Sequence, residues 1–294
     1  MSQLVDTGLW QVYYHPVLPD LVHAYTSTRN LTTKIMNAKS AEGNGRYGIS
    51  WSREETLLAL DLYCRIPFSK TKANNPVVIE LANLLSRTPA SVARKLGNLG
   101  AFDPTLRKLN ITGLTHTSNL DREIWDEFYS NWNQLAWDAV QLRQKLTSAE
   151  VPSILKIPLG PSEVIRPVKQ RVHQSFFREA VLSSHDMTCC VTGITVRECL
   201  VASHIVPWSV DERFRADPTN GLCLSATFDR LFDSGMMTVL DNFHIRLSPQ
   251  VTRNNSTVNR RLLACFEDKP IRMPSRFTPA REYLQWHFKN RFRK

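Results

Sequence analysis

No apolar run in the chain approaches the roughly 18–20 residues that a membrane-spanning helix requires, which excludes that class. The opening residues, MSQLVDTGLW, lack a basic segment followed by an apolar one, so no secretory signal is expected. Cysteine is sparse. Six in 294 residues do not make a disulfide framework, and in a cytoplasmic setting they are expected as reduced thiols. Cys189, Cys190, Cys199 and Cys223 show no pair at C-x₂₋₄-C spacing, so no structural zinc is expected. Internal repeats and low-complexity tracts are absent as well.

Acidic residues are also in short supply: 27 against 37 Lys and Arg, a formal net charge of +10. The excess is uneven. Residues 1–150 carry 16 basic and 14 acidic side chains, residues 151–294 carry 21 and 13, and residues 253–294 alone carry 11 and 3. A polyanion such as nucleic acid is the expected partner, rather than a membrane. With 42% apolar residues, there is material for about two domains.

Four prolines, Pro152, Pro158, Pro161 and Pro167, break up the middle of the chain. That density predicts a stiff linker over 151–168, between an N-terminal domain (1–150) and a C-terminal one (169–294). Residues 1–50 carry no functional signal. From Trp51 the pattern sharpens: Ser52 and Glu55 form a capping box, Asn75-Pro76 opens a second helix and Thr88-Pro89 a third. In the third, Val92, Leu96 and Leu99 make an apolar stripe, and Ser91, Arg94, Lys95 and Asn98 are expected to face outward. Three short helices over about 51–103 fit a helix-turn-helix, whose last helix reads base edges in the DNA major groove. Residues 104–120 would supply a wing, making a winged helix, and 121–145 read as one long helix.

The C-terminal part begins with a helix, QRVHQSFFREAVLSSH. It is followed by CCVTG (189–193), LVASHIVPW (200–208), NGLCLSATFDRLFDSG (220–235) and MMTVLDNFHIRLS (236–248). An apolar strand ends at Ser203-His204, Asn220-Gly221 turns into a second strand, and Ser225 is placed to cap a short helix containing Asp229. His204, Asn220 and Asp229 resemble the three signature positions of the HNH endonucleases, which are ββα-metal nucleases. The wording ASHIVPW…NGLCLS…FDRLFDSG is similar to the restriction-type branch, in which a Gln-x-x-Phe-Arg helix precedes a Cys-x-x-Thr-Gly hairpin. Here that helix offers Gln174, Phe177 and Arg178. Residue types, spacing and strand-loop-helix context agree over about 171–250, with a weaker echo at Trp286-His287. The segment 51–103 is also similar to an N-terminal module of bacterial HNH proteins. The fold class is therefore α+β, with a helical reader followed by an HNH domain.

The resemblance implies phosphodiester hydrolysis. His204, at a strand end facing the Asp229 helix, would take a proton from water, and its ordinary pKa near 6.5 suits that role. Asp229 would hold a divalent cation, Mg²⁺ first and Mn²⁺ second, and Asn220 would fix the loop through side-chain hydrogen bonds. Ser203 occupies the position where a second ligand, Asp or His, is common, so Asp233 is the nearest further acid. Arg213, Arg215 and Arg230 are placed to grip phosphates. The substrate implied is double-stranded DNA, with restriction or phage defence as the role and modified bases as an attractive target. A double-strand break would favour a homodimer. A decayed nuclease kept for DNA binding and a structured-RNA nuclease are the competing classes.

Overall fold

The computed structural model describes residues 48–110, 117–147 and 162–294, without the side chains of 162–167. Gly48–Lys294 form one compact unit. The expectations for residues 1–47, and the proline-rich stretch as far as residue 161, lie outside the described residues.

Local signals open the first three helices. In α1 (Arg53–Arg65), Ser52 Oγ accepts from the Glu55 amide at 3.2 Å, and Glu55 Oε2 accepts from the Ser52 amide at 2.9 Å. In α2 (Pro76–Leu84) and α3 (Pro89–Gly100), Asn75 and Thr88 cap the first turns, with proline where a missing N–H has no consequence. The expected wing does not form in the described part of its segment: Pro104–Lys108 is a helix, α4, capped by Asp103. The long helix read over 121–145 is two, α5 (Asn119–Phe128) and α6 (Trp132–Leu146). Ser130-Asn131 intervenes, residues whose side chains compete with the helical backbone, and the Asn131 amide turns back to the Phe128 carbonyl.

Two ion pairs are buried among these helices. Arg87 forms a fork on Glu55 (3.1 and 2.7 Å) and also donates to the carbonyls of Ile49 and Ser50. Lys95 bonds Asp121 at the start of α5 and lies over the Trp51 ring. Lys95 is therefore not outward-facing but 4% exposed. The reason is visible on the helix: it stands three residues after Val92 and four before Leu99, on the apolar stripe itself. Of the other three residues, Arg94 is exposed, and Ser91 and Asn98 are half-buried.

The long helix α7 (Ser162–Ser184) serves two cores at once. Phe176 packs among the N-terminal helices, its ring stacked near Trp132. Phe177, its neighbour, belongs to the C-terminal core. Each buried ring contributes roughly 1.5–3 kcal/mol, so α7 is fastened on both sides. Two antiparallel hairpin sheets follow. β1 (Leu200–His204) pairs with β2 (Gly221–Ser225), with Ser203 opposite Leu222 and His204 opposite Gly221. After α8 (Ala226–Asp233), β3 (Met237–Val239) pairs with β4 (Ile245–Leu247). Short helices α9 (Pro249–Thr252) and α10 (Thr257–Leu262) lead to α11 (Arg281–Asn290). Cys189–Gly193 forms a tight turn in which Gly193 takes φ +78°, a left-handed value that suits glycine. Ser225 stands at the start of α8 but makes no side-chain cap; its amide donates to Cys189 Sγ.

Arg276 ties the C-terminal stretch to α1. Fully buried, it donates to the carbonyls of Tyr63 and Ile66 at the end of α1 and to Ser183 Oγ on α7, with its guanidinium over the Tyr63 ring. A cation at a helix C-terminus satisfies carbonyls that the helix leaves unpaired.

Buried histidines set the acid limit of the fold. His287 is stacked face to face on Phe232 at 3.8 Å, accepts from Thr238 Oγ1 and donates to the Phe232 carbonyl. Burial pushes His185 and His287 down to about 4. The unfolded chain takes up these protons near pH 6.5, so their contribution is complete above that pH and is lost as pH falls toward 4. The melting temperature should fall between pH 7.5 and pH 5, with a loss on the order of 2 kcal/mol per histidine at pH 5. A His185→Asn, His287→Gln variant should show a shallower pH dependence. An unchanged slope would overturn this account.

Candidate active site

The site is built at the open end of the β1–β2 hairpin, which lies between α7 and α8. Successive side chains of a strand point to opposite faces, so Ser203 and His204 diverge. Ser203, 3% exposed, turns toward α8, and its hydroxyl pulls down the pKa of Asp229, whose burial pushes it up more strongly. His204 turns the other way, onto α7. Its ring stacks on Phe177 at 3.5 Å and 9°, with Trp208 edge-on at 5.7 Å. The expectation that His204 faces the Asp229 helix is thus corrected: the pleat of β1 puts the imidazole on the α7 side.

The protonation of His204 is fixed by its partner. Nε2 lies 3.0 Å from the Arg215 carbonyl. A carbonyl only accepts, so Nε2 carries the hydrogen and Nδ1 is left with a bare lone pair. Burial pushes the imidazole down to about 4, against the opposing pull of that carbonyl. At neutral pH the ring is therefore neutral, with Nδ1 ready to accept a proton. This differs from the unshifted value near 6.5 taken from residue type alone, because burial disfavours the imidazolium.

Asn220, 1% exposed, holds the loop between the strands. Its Oδ1 accepts from the Val206 amide at 2.8 Å, and its Nδ2 donates to the carbonyls of Val206 and Phe214 at 3.1 and 3.3 Å. The far side of the loop is held from α6: Asn133 donates to the Glu212 carbonyl and accepts from the Ala216 amide. Arg215, whose carbonyl orients His204, is thus gripped from both sides.

The cationic residues are placed differently from one another. Arg213 is exposed and bonded to Asp211, and Arg215 is paired with Glu212 at 2.8 Å and lies over the Trp208 ring. Arg230 and Asp233 are exposed on α8, and the Asp233 charge adds to the upward shift of Asp229. Three residues that sequence reasoning did not assign to the site stand beside His204. Gln174, Arg178 and Trp208 line its cleft together with Phe177. The sequence marked Gln174, Phe177 and Arg178 only through resemblance, and Trp208 not at all. The backbone carbonyl that orients His204 leaves no mark in a sequence at all.

Among the described residues, no three His, Cys, Asp or Glu side chains form a metal-holding group. Ser203 Oγ, by contrast, is buried against the Asp229 carboxylate and reaches no other hydrogen-bond partner. A hard cation that takes oxygen ligands and retains much of its water fits such a pair.

The HNH endonuclease family matches residues 189–240. This segment, which contains His204, Asn220 and Asp229, is an HNH domain, and the family's activity makes nucleic acid the class of substrate. No curated protein matches the chain. No helix among the described residues is long and apolar enough to cross a membrane.

Gly221 makes the site possible. Its φ of −130° suits any residue, but a Cβ there would lie 2.2 Å from Val181 Cγ2 and 3.0 Å from Phe177 Cζ. Gly221→Ala should force α7 away from the hairpin and destabilise the fold by about 1–3 kcal/mol, as overpacked cores do. Urea unfolding checks this, and a wild-type midpoint would mean that α7 has room to give.

Proposed function

We propose that the chain is a metal-dependent DNA endonuclease of bacterial restriction or phage defence, with residues 1–150 selecting the DNA and residues 169–294 cutting it. The observation that carries the reading is His204 with Nε2 committed to a carbonyl and Nδ1 free, at the strand end whose other face carries the Ser203–Asp229 pair. Asn220 keeps the loop, and hence the imidazole, in place. Nδ1 of His204 accepts a proton from water as the water oxygen bonds to phosphorus and the bond to the 3′-oxygen breaks. Asp229 and Ser203 would hold Mg²⁺ or Mn²⁺, which supplies charge stabilisation for the phosphate and the departing oxygen. Arg230, exposed on the same helix as Asp229, and Arg213 and Arg215 on the loop engage flanking phosphates. Arg213 and Arg215 must exchange their carboxylate partners to do so.

On the helical side, Ser91, Arg94 and Asn98 are the residues of α3 that remain for base contacts, and selection of modified bases is the specificity this arrangement would serve. The test is a panel of modified duplex DNA, unmodified duplex DNA and structured RNA, with Mg²⁺, Mn²⁺ or chelator. Wild type should cut DNA only with metal, and His204→Ala should lower the rate by about 100-fold or more. Equal cleavage by both proteins would sink His204 as the base. Binding without cleavage would favour a regulatory DNA-binding protein, and preference for RNA would favour an RNA nuclease.

A further inference from the structure

The exposed polar stripe of α7 runs directly into the His204 cleft. Arg178 lines that cleft beside His204, Gln174 lines it one turn earlier, and Arg171 follows on the same side of the helix a further turn back. Residues seven apart differ by only about 20° around a helix axis, so Arg171 and Arg178 point the same way. All three are exposed, whereas Phe176 and Ala180 are buried on the opposite side and Phe177 is buried beside Gln174 and Arg178 at the floor of the cleft. Arg178 is also held in place: its Nη2 donates to the Leu200 carbonyl at 3.1 Å, at the start of β1. Unlike Arg213 and Arg215, neither guanidinium has a carboxylate bonded to it among the described residues.

Resting on the nuclease reading, we propose that this face of α7 is the track for the substrate strand, with Arg178 on a phosphate next to the scissile one. Seven residues of helix advance about 10.5 Å. That spacing is enough for Arg171 to meet a different phosphate of the same strand from the one Arg178 holds. Gln174, between them, is an uncharged donor and acceptor for the sugar-phosphate edge. The chemistry selects a regularly charged polyanion rather than a small anion, because two cations are set two turns apart on one helix. The track enters the cleft that His204 lines, and it would fix which phosphodiester is presented there.

Binding of the full chain to a fluorescent DNA duplex in EDTA, across a salt series, tests the track without cleavage. Arg171→Gln with Arg178→Gln should reduce the slope of log affinity against log salt by about 2, near 0.9 for each phosphate no longer neutralised. Affinity should weaken at least several-fold. The glutamine at 178 retains a donor for the Leu200 carbonyl, so the melting temperature should hold. The matching Lys, Lys variant keeps both charges and should retain the slope. An unchanged slope in the Gln, Gln variant, or a parent that binds no DNA, would overturn the proposal. If the parent binds DNA but cuts nothing with metal present, the nuclease reading fails, and the slope difference still decides the track.

Discussion

Everything at the site depends on one face-to-face contact, the Phe177 ring beneath His204. Stacking at that separation keeps water off one side of the imidazole, lowers its basicity and restricts its rotation. The Arg215 carbonyl then needs only to select the tautomer. The contact in turn requires α7 to lie against the hairpin, which only the missing side chain of Gly221 allows. A glycine that contributes no chemistry thus decides whether the histidine has any. The same pairing recurs at His287 on Phe232, without an open cleft and with both ring nitrogens committed. Two similarly stacked, similarly shifted imidazoles differ in what Nδ1 meets, and that difference separates the chemically available histidine from the structural one.

Charge is divided by a comparable rule. Arg87, Lys95 and Arg276 are cations inside the fold, each tied to a carboxylate or to carbonyls that would otherwise be unpaired. Removing one partner of such a set leaves a buried charge or dipole uncompensated, which costs far more than an exposed pair contributes. The net +10 therefore overstates neither binding nor stability when it is sorted by location. Arg276, counted in the most basic stretch of the sequence, is fully buried, while the cations of α7 and α8 are exposed near the site.

Much of this architecture was legible in the residues. Capping boxes and Pro-first helices announce themselves because a cap is a local hydrogen bond between residues two or three apart. The strand-loop-strand-helix order around His204, Asn220 and Asp229 was readable for the same reason, since its spacing is local. What escaped was set by distant partners. The charge of Lys95 points it outward, but its position on the stripe of Val92 and Leu99 and a carboxylate on another helix draw it inside. The orientation of His204 follows α7, and its low pKa follows rings that meet only in the folded chain. The break between α5 and α6 is written in Ser130-Asn131, a weaker signal than the apolar periodicity around it.

Consecutive phenylalanines on α7 give this molecule an unusual kind of seam. Where linked modules join through a flexible tether, each can be lifted out whole. Here the boundary between the helical part and the HNH part runs along one rigid rod, with Phe176 and Ala180 in one core and Phe177 and Val181 in the other. Excision on either side of that rod strips a neighbour of its wall. The C-terminal chain also reaches back, through Arg276 and Phe277, into the helical core. The HNH half is consequently no portable cassette: transplanted alone, it would carry an unclosed face.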